Sequence, residues 1–526
     1  MKNKIILLIA LCSSFVWAQN KLSGFVFEDL NQNGKKERNE KGIQNVAVSN
    51  GVQVVLTDEK GRYELPLSGD DVIFVIKPED YAFPNNEFNL PKFYHFHKPK
   101  GSPDQDFQYK AFSPTGKLPR SLDFALISQK EDKDFSLFVF GDPQVYNHQQ
   151  VEYFEKAIIA DANQNKEGIA FGISLGDLVG DDLDLHLPYK KAIQKLGLTW
   201  HNVMGNHDMN YEAREDKYSD ETYELNMGPA NYAFNYGNTH FIILDNILYP
   251  HPQTGKGYWG GFRKDQLEFL KNNLRFVDKD KLLVISFHIP LFIPGLEDHY
   301  DPVSRQEFLD LLQDFPHILL MTAHTHRQEI KLYTEKEGWK GKGELYEYNL
   351  GTTSGDWYSG ELDPRGNPYS TMRDGTPQGY AFLNVRNNQY TLDYKSVRHS
   401  KDYQMEIYLP KVIADKGWNT ARVWVNVFMG KSGDEVEFRV NQGEWKPMRY
   451  TEEKDPSYYH SVQKWDFSES LLKGRRPSNP VRSTHLWSAP LPNTAGVGTH
   501  TLEVRWTDRF GRTYQAEKTY RIETNN

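Results

Sequence analysis

Short apolar runs in the middle of this chain repeatedly end in residues that bind metal ions. Phe138-Val139-Phe140 leads into Asp142 and Gln144, and Ile173-Ser174-Leu175 leads into Asp177. Val203-Met204 precedes Asn206, His207 and Asp208; Val284-Ile285-Ser286-Phe287 ends on His288; Leu319 to Ala323 ends on His324 and His326. Carboxylate, amide and imidazole groups are oxygen and nitrogen donors suited to borderline or hard divalent ions. Singly, each has an ordinary reading. An Asp after a strand caps a turn, Gly-Asn bends the chain, and a lone His sits satisfied in a core. His324-Thr325-His326 says more, because alternate residues of an extended segment point the same way. Taken in order, the set implies one site assembled from distant segments. Gln144 is its irregular member: it reads as a neutral oxygen donor to a metal or as a turn cap.

Convergence of this kind needs a scaffold that brings strand ends together. Between about residues 122 and 400, apolar strands alternate with helix-like stretches such as Gln149–Asn165 and Arg263–Val277. That rhythm indicates layered α/β, where ligands gather at the carboxyl ends of strands. The flanks differ. Residues 19–115 and 405–526 read as short strands punctuated by turns, so each is expected to be a small all-β sandwich. The first resembles carboxypeptidase-regulatory or transthyretin-like modules. Trp418, Trp424, Trp445, Trp465, Trp487 and Trp506 in the last region read as core at alternating strand positions, with sugar stacking as the alternative.

The series Gly-Asp-Pro-Gln, Gly-Asp-Leu-Val-Gly-Asp-Asp, Gly-Asn-His-Asp, Ser-Phe-His-Ile-Pro and Ala-His-Thr-His resembles the five-block signature of the calcineurin-like metallophosphoesterases, in a secreted form with β-sandwich modules on both sides. The likeness covers roughly residues 134–397. It implies a four-layer αββα sandwich with two divalent ions, Mn, Fe, Zn or Mg, at its strand ends. Asp177 would bridge both ions. Asp142, Gln144 and His326 would complete one site, and Asn206, His288 and His324 the other. His207 would protonate the leaving oxygen, with Asp208 orienting it. Two ions about 3.5–4 Å apart clamp a phosphoryl group and acidify a shared water, which attacks phosphorus in line. A general acid adds roughly 10²–10⁴ in rate for a poor leaving group.

Two departures refine the expectation. Gln144 stands where the family usually places histidine; a harder and weaker donor there favours Mn, Mg or Fe over tight zinc. Gly180 stands where purple acid phosphatases place a tyrosine, so the chain is expected outside the purple branch. Ala323 replaces a usual glycine with little chemical content. Substrate contacts are expected from Asn147 and His148 after the first block. Trp357, Tyr358 and Arg373 are further candidates, in the long polar loop after the last block. Asp181 and Asp182 read as helix caps, with substrate contact as the alternative.

The formal charge of -9 over 526 residues argues against a nucleic-acid polymer as partner. A small phosphomonoester or phosphodiester is expected, from a sugar, nucleotide or lipid head group, with small nucleotides left open. Lys2, Lys4, the run Ile5–Leu11 and Ala18 read as a cleavable signal, residues 1–18. Its removal takes the charge from -9 to -11 and implies a periplasmic or secreted protein without a transmembrane segment. The single cysteine, Cys12, lies inside it. Asp29, Asn31, Asn33, Gly34 and Glu40 fit a calcium-loop spacing between strand-like flanks, against a plain turn that binds nothing. The rival functional reading is a glycan- or surface-binding protein with a degenerate phosphoesterase site.

Overall fold

The computed structural model describes residues 21–103, 106–417 and 419–524. The expected signal segment and Trp418 lie outside the described residues.

The central region contains two sheets. One has the strand order Trp200–Asn202, Ile169–Ser174, Asp134–Phe140, Gly379–Arg386, Gln389–Ser396. The other runs Tyr232–Tyr236, Thr239–Ile243, Leu282–Ser286, Ile318–Thr322, Leu345–Asn349, Glu329–Tyr333. In each, the strands that precede the candidate ligands are parallel neighbours. Parallel strands need crossover connections, and helices His148–Phe154, His186–Gln194, Lys264–Leu274 and Pro302–Leu312 lie in these connections. Leu282–Ser286 and Ile318–Thr322 are buried along their whole length, as parallel strands covered on both faces require. The sheets touch through aromatics: Phe171 of the first meets Phe241 and Phe234 of the second edge-on at 5.3 and 5.7 Å. Helix starts follow local chemistry. Asn147 accepts from the Gln150 amide, and Asp301 accepts from Val303 and Ser304 ahead of Pro302.

The N-terminal region has two four-stranded sheets. One is ordered Arg62–Pro66, Lys21–Glu28, Phe124–Ser128, Tyr81–Ala82; the other Val54–Leu56, Ala47–Ser49, Asp71–Ile76, Tyr94–His97. Strand Phe124–Ser128 pairs with Val26–Glu28. The segment just after residue 122, expected to open the α/β region, therefore completes the N-terminal sheet. The change of sheet falls between residues 128 and 134, because the apolar run after Asp123 finds its hydrogen-bond partner on the first strand.

The C-terminal region has a four-stranded and a five-stranded sheet. It is not purely β: Pro456–Asp466 forms a helix capped by Asp455, an Asp-Pro start that overrides the β texture around it. Trp487 and Trp506 are buried, and Trp445 is held between the guanidiniums of Arg439 and Arg505 at 4.5 and 4.4 Å. These three are committed to protein contacts. A two-stranded ribbon, Gly360–Glu361 with Gly474–Arg475, ties this region to the central one. Among the described residues no helix is long and apolar enough to cross a membrane.

Candidate metal centre

All five candidate blocks begin within four residues of a strand end: Phe140, Ser174, Asn202, Ser286 and Thr322. The chain then turns sharply. Asp142, Gln144, Asp177, His324 and His326 have φ of 31°, 36°, 48°, 72° and 54°. Left-handed backbone at five non-glycine residues in one place is costly and clusters at functional sites. Glycines give the room: a Cβ on Gly205 would lie 2.0 Å from the Asp177 nitrogen, and one on Gly176 2.6 Å from His288 Nδ1.

Two groups of donors share one carboxylate. Asp177, His288 and His324 have ligand atoms within 4.8 Å of one another, as do Asp142, Asp177 and His326. His288 Nε2 lies 3.3 Å from Asp177 Oδ2 and 3.2 Å from His324 Nδ1. Gln144 Nε2 donates to Asp177 Oδ2 at 3.2 Å, and the His207 amide donates to Asp177 Oδ1 at 2.9 Å. The His324 amide donates to Asp142. His288 is oriented by Leu175 O at 2.8 Å and His326 by Gly355 O at 3.3 Å, the kind of outer support that fixes a metal-binding imidazole.

Divalent ions fit this donor set. Gln144 Oε1 and Asn206 Oδ1 are buried oxygens without a protein hydrogen-bond partner. An unsatisfied buried oxygen is unfavourable, and a cation satisfies it. Charge points the same way. Burial pushes the Asp142 carboxyl well above its ordinary value, with the nearby Asp177 charge adding to the effect. Burial opposes ionisation of Asp177 too, but His288 and His207 hold it well below the usual range. Burial lowers His324 to about 3 and His326 to about 4, which keeps both imidazoles neutral as ligands must be, whereas at His288 the Asp177 and Asp142 carboxylates outweigh burial and raise it to about 9, a proton that a bound cation would displace.

The histidine pair differs from expectation. His207 Nδ1 bonds Asp181 Oδ1 at 2.7 Å, and Asp181 also accepts from the Tyr211 hydroxyl at 3.0 Å. Burial alone would lower the His207 pKa, but Asp177 and Asp181 outweigh it and raise the imidazole to about 9. Asp208, expected to orient His207, is fully buried and instead accepts from the backbone of Leu178, Val179 and Gly205, with His186 at 3.3 Å. It closes the turn that carries His207 and does not hold the ring. Asp182 is the helix cap, through the Asp184 amide.

The other expected contacts are dispersed. Asn147 is spent on its helix cap, and His148 is the first residue of that helix. Tyr358 is buried with its hydroxyl on Pro143 O at 2.5 Å, so it braces the Asp142–Gln144 turn from inside. Arg373 Nε donates to Asn479 O at 3.1 Å, in the C-terminal region. Only Trp357 lies against the centre, stacked on His326 at 4.3 Å. Tyrosines that sequence patterns did not single out complete the rim. Tyr146 lies 6.2 Å from His207 and Tyr258 6.0 Å from His324, both edge-on. Gly180 makes room for Tyr146, because a Cβ there would sit 2.6 Å from its ring carbons. Asp29 and Glu40 are buried, and their carboxylates accept from the amides of Asn33, Gly34, Leu30 and Glu37. Asn31 and Asn33 side chains reach Glu37.

Residues 135–328 match the family model for calcineurin-like phosphoesterase. Residues 30–112 match the model for the N terminal of calcineurin-like phosphoesterase, and residues 347–514 that for its C terminal. No curated protein matches the chain. Among solved structures it is similar to a purple acid phosphatase, PPD1, from yellow lupin (Lupinus luteus) seeds. That match has 13% identity and a TM-score of 0.38, and covers 72% of this chain and 67% of that one. It is also similar to a metallophosphoesterase from Sphaerobacter thermophilus, at 14% identity and TM-score 0.24, covering 50% of this chain and 89% of that one.

Proposed function

This chain belongs to the calcineurin-like phosphoesterases and is a hydrolase of phosphoester bonds; on that premise we propose that it is an exported two-metal enzyme acting on small phosphomonoesters or phosphodiesters of sugar, nucleotide or lipid head-group type. The observation that carries the proposal is the pair of donor groups sharing Asp177, with Gln144 Oε1 and Asn206 Oδ1 left without protein partners beside them. Asp142, Gln144, Asp177 and His326 would hold one ion, and Asp177, Asn206, His288 and His324 the other. When bound, such a pair supplies the positive charge that clamps a phosphoryl group and acidifies a water at neutral pH. Mn, Mg or Fe suits the Gln144 oxygen better than zinc.

The chain's own residues do the rest. His207, raised by Asp177 and Asp181 and held through Nδ1 by Asp181, donates from its ring to the departing oxygen. The single Tyr211 hydroxyl proton lies within reach of Asp181 Oδ1 at 3.0 Å and Asn206 O at 2.8 Å, which couples the acid to a ligand turn. Trp357, Tyr146 and Tyr258 wall the mouth and limit the water that reaches the reacting group.

The finer architecture belongs to the same reading: a four-layer αββα body between two β modules. Export rests on the signal-like residues 1–18. A structural calcium in the Asp29–Glu40 loop rests on its spacing and its two buried carboxylates. The test is a panel of monoesters and diesters offered to chelated chain reloaded with Mn, Fe, Zn or Mg. Turnover that vanishes on chelation and returns with one of these ions supports the proposal. Metal-independent turnover, or none with any ion, overturns it.

A further inference from the structure

The rim of the centre is built partly by the C-terminal region. Its segment 474–479 runs along the loop 356–361. Arg475 lies opposite Gly360 in the ribbon, and a Cβ on Gly474 would sit 2.2 Å from Gly360 O. The contact is therefore a close backbone approach that glycine permits. The Ser478 amide donates to Asp356 Oδ2 at 2.7 Å, and Asn479 O accepts from Arg373. Asp356 is buried, so this contact is enclosed.

Within this brace, Arg475 Nη2 donates to the carbonyls of Asp356 at 3.0 Å and Trp357 at 2.7 Å. Those bonds fix the guanidinium beside Trp357, whose ring lies on His326. Nearby cations are already neutralised: Arg476 pairs with Asp466 at 2.6 Å and Lys464 with Glu361 at 2.6 Å. Arg475 is exposed and has no carboxylate partner among the described residues. Its charge also reaches the Tyr146 hydroxyl, where it opposes the upward push of burial and of Asp181 and Asp177. Tyr146 in turn stands beside His207.

With Nη2 spent on those carbonyls, the guanidinium keeps its positive charge and the N–H donors of Nε and Nη1 for a phosphate oxygen. The scissile group sits at the shared Asp177 on this reading, and Arg475 holds the carbonyl of Trp357, whose ring covers His326 of the same centre. We propose that Arg475 is a specificity-determining residue that binds a second phosphate of the substrate, apart from the phosphate that is cleaved. The C-terminal region is then part of the substrate site. The inference rests on the phosphoesterase reading for the place of the first phosphate.

Calorimetric binding to the metal-loaded full chain tests it, with fructose 6-phosphate and fructose 1,6-bisphosphate as probes. Wild type is expected to bind the bisphosphate about ten-fold tighter, the low end for an added charge-assisted contact. Arg475→Gln is expected to bring the two affinities to within about two-fold. Arg475→Lys, which keeps charge without the pair of carbonyl bonds that positions it, should fall between and covers the case in which the Gln variant does not fold. No preference in wild type, or a preference that survives both substitutions, overturns the inference. Ester turnover is measured separately. Its absence contradicts the phosphoesterase reading, whereas an Arg475-dependent preference reports on the second subsite.

Discussion

Replacing Asp181 with Asn separates orientation from charge at His207. The amide oxygen still accepts from Nδ1, so the ring keeps its direction, but the carboxylate charge is gone. A hydrogen bond between charged groups is worth about 1.5–3 kcal/mol when enclosed. Here the side chains are 26% and 49% exposed, so solvent screening reduces the value to about 1–1.4 kcal/mol. That corresponds to about 5–10-fold in rate, and only where the leaving group needs a proton. The assay compares kcat on an alkyl phosphate and on p-nitrophenyl phosphate, whose leaving group departs unprotonated. The alkyl ester is expected to lose about 5–10-fold and the aryl ester far less. The sign with pH follows from the raised pKa of about 9. His207 acts while protonated, so removing a charge that holds the proton moves the alkaline limb for the alkyl ester to lower pH. Asp208→Asn is the contrast. It disturbs buried amides at Leu178, Val179 and Gly205, costing about 1–3 kcal/mol for each one left unpaired. It should lower thermal stability and affect both esters alike. A leaving-group-dependent loss in Asp208→Asn with none in Asp181→Asn would refute this assignment.

Gln144→His should keep activity and move the preferred ion toward zinc, read as turnover across Mn, Mg, Fe and Zn; an unchanged ranking means that the side chain binds no metal. Gly180→Ala puts a methyl 2.6 Å from the Tyr146 ring. The ring must swing out, and a stability loss of about 1 kcal/mol with a several-fold rise in KM is expected; unaltered kinetics would show that Tyr146 does not line the substrate path. Calcium at 10 mM should raise the melting temperature of wild type but not of Asp29→Asn. The stabilisation would be about 1.4–2.7 kcal/mol for a dissociation constant near 10⁻⁴–10⁻³ M, and equal shifts in both proteins would remove the loop as a site.

The donors were legible because chemistry and topology coincide at strand ends. An apolar run such as Leu282–Ser286 announces a buried strand, and the polar residue just beyond it, His288, has few places to be except the rim of the sheet. The partners of those donors were less legible. Asp181 and Asp182 are adjacent and look equally like caps, yet only Asp182 caps, while the left-handed turn at Asp181 (φ 71°) turns its carboxylate to His207. Tyr358 and Trp357 are neighbours with φ of 55° and 47°, and one faces inward while the other covers His326. No propensity separates them. Arg475 lies 118 residues from the carbonyl of Trp357 that it bonds, and no local pattern reports a contact of that range. The helix Pro456–Asp466 did carry a readable start in Asp455-Pro456, hidden by strand-like texture on both sides.

Asp177 carries the account, because both donor groups depend on it. Metal content per chain, measured on wild type and on Asp177→Asn together with ester hydrolysis, tests this most directly. Two divalent ions are expected in wild type, with loss of metal and of turnover in the variant. Full metal content with undiminished hydrolysis in Asp177→Asn would contradict it.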